Sequence, residues 1–165
     1  MSAGDFFGLW LHVLALVAYG GATLAVLVMA LPAANAVADP AVRRAFLARV
    51  LLVYDPLAIA ALGVLVMSGA INLTAYKDAL RGEFFAQVGW LLVWKLGLAF
   101  LVVMIGTYIT FGLGHRIVRN EMAGEPVDAA WLASMSRRLR TACVLVLVLL
   151  AATTWLGLEL GHPHG

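Results

Sequence analysis

Four long apolar segments, separated by polar ones, dominate the pattern of the chain. The apolar segments cover about 6–31, 53–76, 86–114 and 141–160. A hydrocarbon core about 30 Å thick needs roughly 20 helical residues at about 1.5 Å each, so every segment is long enough to cross a bilayer. The pattern predicts an all-α integral membrane four-helix bundle, with the whole chain, 1–165, forming a single transmembrane domain.

The polar segments 32–52 and 115–140 are predicted as loops on one side of the membrane, and 77–83 as the loop on the other side. Most of the arginines lie in the first two segments: Arg43, Arg44, Arg49, Arg116, Arg119, Arg137, Arg138 and Arg140. Because positively charged loops stay in the cytoplasm, we expect both termini on the outer, periplasmic side. The expected location is the bacterial inner (cytoplasmic) membrane, with an N-out/C-out arrangement.

The composition supports this class of protein. Of the 165 residues, 64% are hydrophobic and 12% are charged, whereas soluble domains have roughly 25% charged residues. The net charge of +2 gives no reason to expect nucleic-acid binding. The single cysteine, Cys143, excludes an intramolecular disulfide and a cysteine-based zinc site. The expected partners are the lipid bilayer, a quinone or redox protein, and further copies or subunits of a membrane complex.

One charged residue, Lys95, lies well inside the third apolar segment. If the helix enters the membrane near Ala86, Lys95 is about 13 Å deep, where a cation costs at least ~2.5–3.5 kcal/mol and needs a partner. The other helices place polar or sulfur-containing side chains in the same outer half of the bundle: His12, Met67, Ser68, Asn72 and Glu159. Glu159 is the simplest expected partner of Lys95. Asp55, near the opposite surface, is expected to pair with a loop arginine.

The histidines fall into three separate places. His12 lies about 9 Å below the outer surface, whereas His115 follows Lys95 by about 30 Å along the same helix. His115 therefore cannot share a small site with His12. His12 either hydrogen-bonds across a helix interface or acts as a ligand. His162 and His164, one residue apart in the tail, are a candidate metal-binding pair or part of a disordered tail.

Several short motifs resemble those of two membrane protein families. The sequence Trp10-Leu11-His12-Val13, followed by Tyr19-Gly20-Gly21, resembles the first helix of CopD-like proteins and of HemJ-type protoporphyrinogen oxidases. Ser68-Gly69, Gly89-Trp90 and Lys95-Leu96-Gly97-Leu98 resemble further elements of these families. The motifs lie on the first three spans, about two thirds of the chain.

The HemJ resemblance implies a membrane protein that binds haem b, with a role in electron transfer or haem-pathway redox chemistry. It implies that His12 is the axial ligand and that Lys95 neutralises a propionate or an anionic substrate. Met67 is a candidate second ligand by depth, and Ser68 and Asn72 complete the expected site. An enzyme of this kind would be a membrane oxidoreductase. The last span has RRLRTA at 137–142 in place of the Arg…Asn-Glu element expected for HemJ proteins, so haem binding is more strongly implied than the oxidase activity.

Two alternatives to haem remain open from the sequence. The CopD resemblance implies copper transport or resistance, and suitable copper ligands would be His12, Met67, His162 and His164. The other alternative is a structural membrane subunit without a cofactor, in which His12 and Lys95 belong to a buried polar network.

Overall fold

The computed structural model describes residues 3–80 and 84–161, which form helices joined end to end into four rods. The first rod consists of α1 (Ala3–Ala25), a π-helical turn (Val26–Ala30) and α2 (Leu31–Ala36). The second rod is α3 (Pro40–Leu80). The third rod consists of α4 (Phe84–Thr107), a second π-helical segment (Tyr108–Gly114) and α5 (His115–Met122). The fourth rod is α6 (Ala129–Gly161). The predicted all-α four-helix bundle is confirmed.

Each rod contains a stretch that is long and apolar enough to cross a membrane. These stretches are Phe6–Ala36, Pro40–Thr74, Gly89–Met122 and Ala129–Glu159. Only 22% to 28% of their most apolar windows is buried inside the protein. Most of the apolar side chains therefore face outward, as they do in a bundle whose solvent is lipid. The protein is a multi-pass membrane protein with four candidate spans.

The rods extend beyond the predicted span limits. Within the segments 32–52 and 115–140, which were predicted as loops, only 37–39 and 123–128 are not helical. Apolar positions continue through these polar segments at helical spacing, and they are buried: Leu47, Leu51, Leu132 and Leu139. An apolar stripe with spacings of three and four residues packs a helix onto its neighbours even when its other face is charged. The helices therefore continue past the ends of the apolar runs.

Aspartate side chains start two of the helices. Asp39 Oδ1 accepts the backbone N–H of Ala41 at 2.8 Å, at the start of α3. Asp128 Oδ1 accepts the backbone N–H of Ala130 at 2.8 Å, at the start of α6. Both bonds satisfy a donor that the first turn of a helix leaves without an intrahelical partner.

The hydrophobic core occupies one half of the bundle, which we call the arginine-rich half (residues 17–61 and 102–150). The first rod packs mainly against α3 and α4 packs mainly against α6, and α5 with the second π-helical segment joins the two pairs through α3. The other half, the terminal half, comprises residues 4–16, 62–74, 89–101 and 151–159. There, no residue of α4 or α6 is fully buried. The two helix pairs are therefore loosely packed against each other in the terminal half.

Candidate functional site

His12 and Ser68 meet at the seam between α1 and α3, in the terminal half. Nδ1 of His12 lies 3.0 Å from Oγ of Ser68, and this hydroxyl donates to the backbone carbonyl of Val64 at 2.6 Å. A hydroxyl has one proton and a carbonyl oxygen can only accept, so Ser68 must accept the bond from the Nδ1–H of His12. Nδ1 of His12 therefore carries a proton, and in the neutral ring this leaves Nε2 unprotonated. Its Nε2 keeps a lone pair that can bind a metal.

Two glycines allow close contact at this seam. A Cβ atom added to Gly69 of α3 would lie 3.2 Å from Cε1 of His12. A Cβ atom added to Gly8 of α1 would lie 2.9 Å from Oδ1 of Asn72. The imidazole thus lies against the backbone of α3, and the amide of Asn72 lies against the backbone of α1 one turn away. The seam brings together His12, Ser68 and Asn72, three residues that the sequence placed in the outer half of the bundle.

Lys95 reaches from α4 onto the backbone of α6. A Cβ atom added to Gly157 would lie 3.2 Å from the Lys95 Nζ. Among the described side chains, no carboxylate oxygen lies within 4.0 Å of this ammonium. The pairing expected with Glu159 is not formed. Two residues along a helix differ by about 200° in direction, so Glu159 and Gly157 face opposite ways.

Met67 is separated from this group of residues. Its side chain is 65% exposed, whereas the adjacent Ser68 is 1% exposed. Consecutive helical residues differ in direction by about 100° around the helix axis. Ser68 therefore faces α1, whereas Met67 faces away from the interior of the bundle. Met67 therefore does not share a site with His12 within one chain, which removes it as the second axial ligand and as a copper ligand beside His12.

The other metal-binding expectations concern histidines elsewhere. His162 and His164 lie outside the described residues. His115, at the start of α5, is exposed and lies in the arginine-rich half. Residues 3–80 and 84–161, as far as their side chains are described, contain no group of three or more His, Cys, Asp or Glu residues that could hold a metal ion.

A second buried polar group, the carboxylate of Asp55, lies in the arginine-rich half, and it does not form the ion pair expected with a loop arginine. Asp55 Oδ1 is buried and has no hydrogen-bond partner in the described part of the chain. Its carboxylate lies against Gly114, where an added Cβ would come within 2.7 Å of Oδ2. No described arginine pairs with Asp55. Arg44, eleven residues earlier on the same helix, lies about 16 Å away along the axis. Arg44 instead pairs with Glu121 at 2.6 Å.

Comparison with protein-family models, curated proteins and solved structures gave no match. The resemblance to CopD-like and HemJ-type proteins thus remains a prediction from short motifs. In the terminal half, an imidazole that donates from Nδ1 and an ammonium without a described carboxylate partner lie in a loosely packed, mainly apolar part of the bundle.

Proposed function

We propose that the protein binds haem b in its terminal half, between the two helix pairs, with His12 as the axial ligand. The observation that carries the proposal is the hydrogen bond from His12 to Ser68, because it uses Nδ1 and leaves Nε2 as the nitrogen that can bind iron when the ring is neutral. Histidines that bind metals usually donate their other ring N–H to an oxygen acceptor, which fixes the tautomer and the ring orientation. A bound haem b would supply one-electron redox chemistry at its iron.

The charge of Lys95 supports the same ligand. An ammonium at this depth is costly unless an opposite charge or water accompanies it. Haem carries two carboxylates, and a charge-assisted hydrogen bond to one of them would offset the cost of burying Lys95. The loose packing of α4 and α6 in the terminal half also leaves these helices free to close on a flat ligand without breaking the main core.

The proposed orientation follows from the arginines. If the arginine-rich half faces the cytoplasm, in line with the positive-inside rule, both termini lie outside and the haem lies toward the outer surface of the bacterial inner membrane. A quinol in the bilayer or a redox protein at that surface is then the proposed electron partner. An electron-transfer role or a redox step in haem metabolism fits this position. Met67 is not part of the proposed site, because its side chain is exposed.

The test is haem titration of the full-length protein in lipid nanodiscs, followed by absorption. We expect one haem per chain with a Soret band, and loss of this band in His12→Ala. His115→Ala is the matched control, since it removes an exposed histidine from the other half of the bundle. A wild-type protein that gives no specific Soret band would contradict haem binding, and equal spectra for His12→Ala and wild type would contradict the ligand.

The same titration separates the two alternatives. If the protein binds copper but not haem, and loses copper when His162 and His164 are removed, the hypothesis of a CopD-like copper protein is supported. A protein that binds neither, and in which His12→Ala and Lys95→Ala only lower the melting temperature, would support a structural subunit.

A further inference from the structure

A polar pocket lies at the far end of the molecule from His12, between the end of the first rod, the start of α3 and the start of α6. Its volume is about 410 Å³. The polar side chains that line it are Asn35, Arg43, Ser136, Arg137 and Arg140, and its lining includes no acidic residue. Arg137 and Arg140 lie three residues apart and therefore project from the same face of α6.

The positive charge of this pocket is not neutralised within the described residues. Arg43 donates from Nε and Nη2 to the backbone carbonyl of Val37, at 3.2 and 2.7 Å. This uncharged partner fixes the guanidinium in place without cancelling its charge. The ion pair found among the described side chains involves Arg44, which lines a different pocket. Three arginines thus line one pocket whose lining includes no carboxylate.

The chemistry of the pocket is that of a phosphate site. Arginine donates two parallel N–H bonds to phosphate oxygens, and several arginines together favour an anion with more than one free oxygen. Asn35 offers further hydrogen-bonding groups. A single phosphate ion would fill only part of the volume, since 410 Å³ corresponds to roughly a dozen water molecules. The pocket is in the size range of a small-molecule site and has room for a phosphate with its attached alcohol.

The position of the pocket along α6 points to a lipid. Arg140 is followed directly by the apolar run that begins at Thr141, so the pocket lies where the helix enters the hydrocarbon core. Phospholipid headgroups occupy this level, and basic pockets between membrane helices bind anionic ones. We propose that this pocket binds the phosphate headgroup of an acidic phospholipid from the leaflet that the arginines face. The inference is independent of haem binding, because it concerns other residues at the other end of the bundle.

The experiment measures lipid binding to the delipidated full-length protein by native mass spectrometry. Phosphatidylglycerol is titrated against phosphatidylcholine, and inorganic phosphate and glycerol phosphate serve as soluble competitors. The double variant Arg137→Gln/Arg140→Gln should weaken the tightest phosphatidylglycerol site by roughly 30-fold, from the contribution of two basic residues near a headgroup. The matched control is Arg116→Gln/Arg138→Gln, which removes the same charge from exposed arginines outside the lining. It should leave that site unchanged.

A second variant tests the pocket without changing any charge. Ala133 lines the pocket and is exposed, so Ala133→Phe should occupy its volume while the helix still folds. We expect it to displace the lipid as the arginine pair does. If Arg116→Gln/Arg138→Gln weakens phosphatidylglycerol binding equally, or if Ala133→Phe binds it fully, the pocket is not the binding site. The lipid would then be held by general electrostatic attraction to the basic surface. Inorganic phosphate that binds as tightly as phosphatidylglycerol would overturn the lipid as the occupant.

Discussion

His12 and Ser68 are joined across the α1–α3 seam by a hydrogen bond of 3.0 Å whose direction is set by the second bond that Ser68 makes. Because the hydroxyl gives its proton to Val64 at 2.6 Å, the imidazole must be the donor. In the proposed haem site Ser68 is therefore a positioning residue, which orients His12 by accepting its Nδ1–H. This relationship makes the proposed haem site testable one residue at a time.

Replacing Ser68 with alanine should weaken haem binding without abolishing it. Loss of an acceptor behind a metal-bound histidine typically costs about 10- to 100-fold in affinity. It also makes the imidazole a poorer electron donor, so the midpoint potential should rise. Thr74→Ala is the control, since Thr74 lies on the same helix and makes a similar bond to the backbone, to Ala70 at 3.0 Å. A potential that moves equally in both variants would argue against a special role for Ser68.

Lys95→Gln should lower haem affinity by roughly 10- to 100-fold, the loss expected when one charge-assisted hydrogen bond worth about 1.5–3 kcal/mol is removed. Haem dimethyl ester, in which both propionates are esterified, provides the control. Its affinity should be weaker than that of haem in the wild type and should not change in Lys95→Gln. If the variant loses affinity for haem and for the ester alike, Lys95 supports the bundle and does not bind a propionate.

Adding a methyl group at Gly69 should disturb His12. The new Cβ would lie 3.2 Å from the imidazole, so the ring or the helix must shift, and overpacking typically costs about 1–3 kcal/mol. Gly63→Ala is the control on the same helix, because an added Cβ there meets nothing within 4 Å. Gly63→Ala should keep or raise the melting temperature, and Gly69→Ala should lower it and alter the Soret band. Similar melting temperatures for both variants would contradict the close contact at the seam.

Tyr19 and Gly106 offer a test of the core that does not involve a ligand. The hydroxyl of Tyr19 is buried without a hydrogen-bond partner in the described part of the chain, and it lies against the backbone of Gly106. Gly106→Ala should therefore destabilise the protein by about 1–3 kcal/mol. Tyr19→Phe should be neutral or stabilising, because it removes an unsatisfied polar group.

The double variant Tyr19→Phe/Gly106→Ala should recover part of the loss. Unfolding measurements on the four proteins of this cycle should give a coupling of about 1 kcal/mol or more, as is typical of residues in direct contact. Strictly additive effects would mean that the two side chains do not constrain each other.

The sequence was sufficient to predict the architecture and insufficient to predict the helix limits. Apolar runs of membrane-spanning length form α-helices in lipid, because a helix satisfies all its backbone hydrogen bonds internally. The four-helix bundle therefore followed from hydropathy. The continuation of α3 and α6 through arginine-rich segments depends on Leu47, Leu51, Leu132 and Leu139 packing against other rods. These are tertiary contacts, which a hydropathy profile does not contain. Such a profile places the end of each helix where the charged residues begin.

For the candidate site, depth was predictable and direction was not. Residue numbers place His12 and Ser68 at similar depth, and the two residues do meet. The same counting also grouped Met67 with them and paired Lys95 with Glu159. These errors arise because the direction of a side chain around its helix is set by which neighbour the helix packs against. Nothing in the sequence indicates that Gly157 lies next to the Lys95 ammonium.

The central claim, that Nε2 of His12 holds the haem, is tested most directly by restoring the missing ligand from solution. His12→Gly removes the imidazole and leaves space for a free one, and haem is then added with and without imidazole. We expect the wild-type Soret band to be lost in His12→Gly and to return, with one haem per chain, when imidazole is added. A His12→Gly protein that shows the wild-type spectrum without imidazole would contradict it.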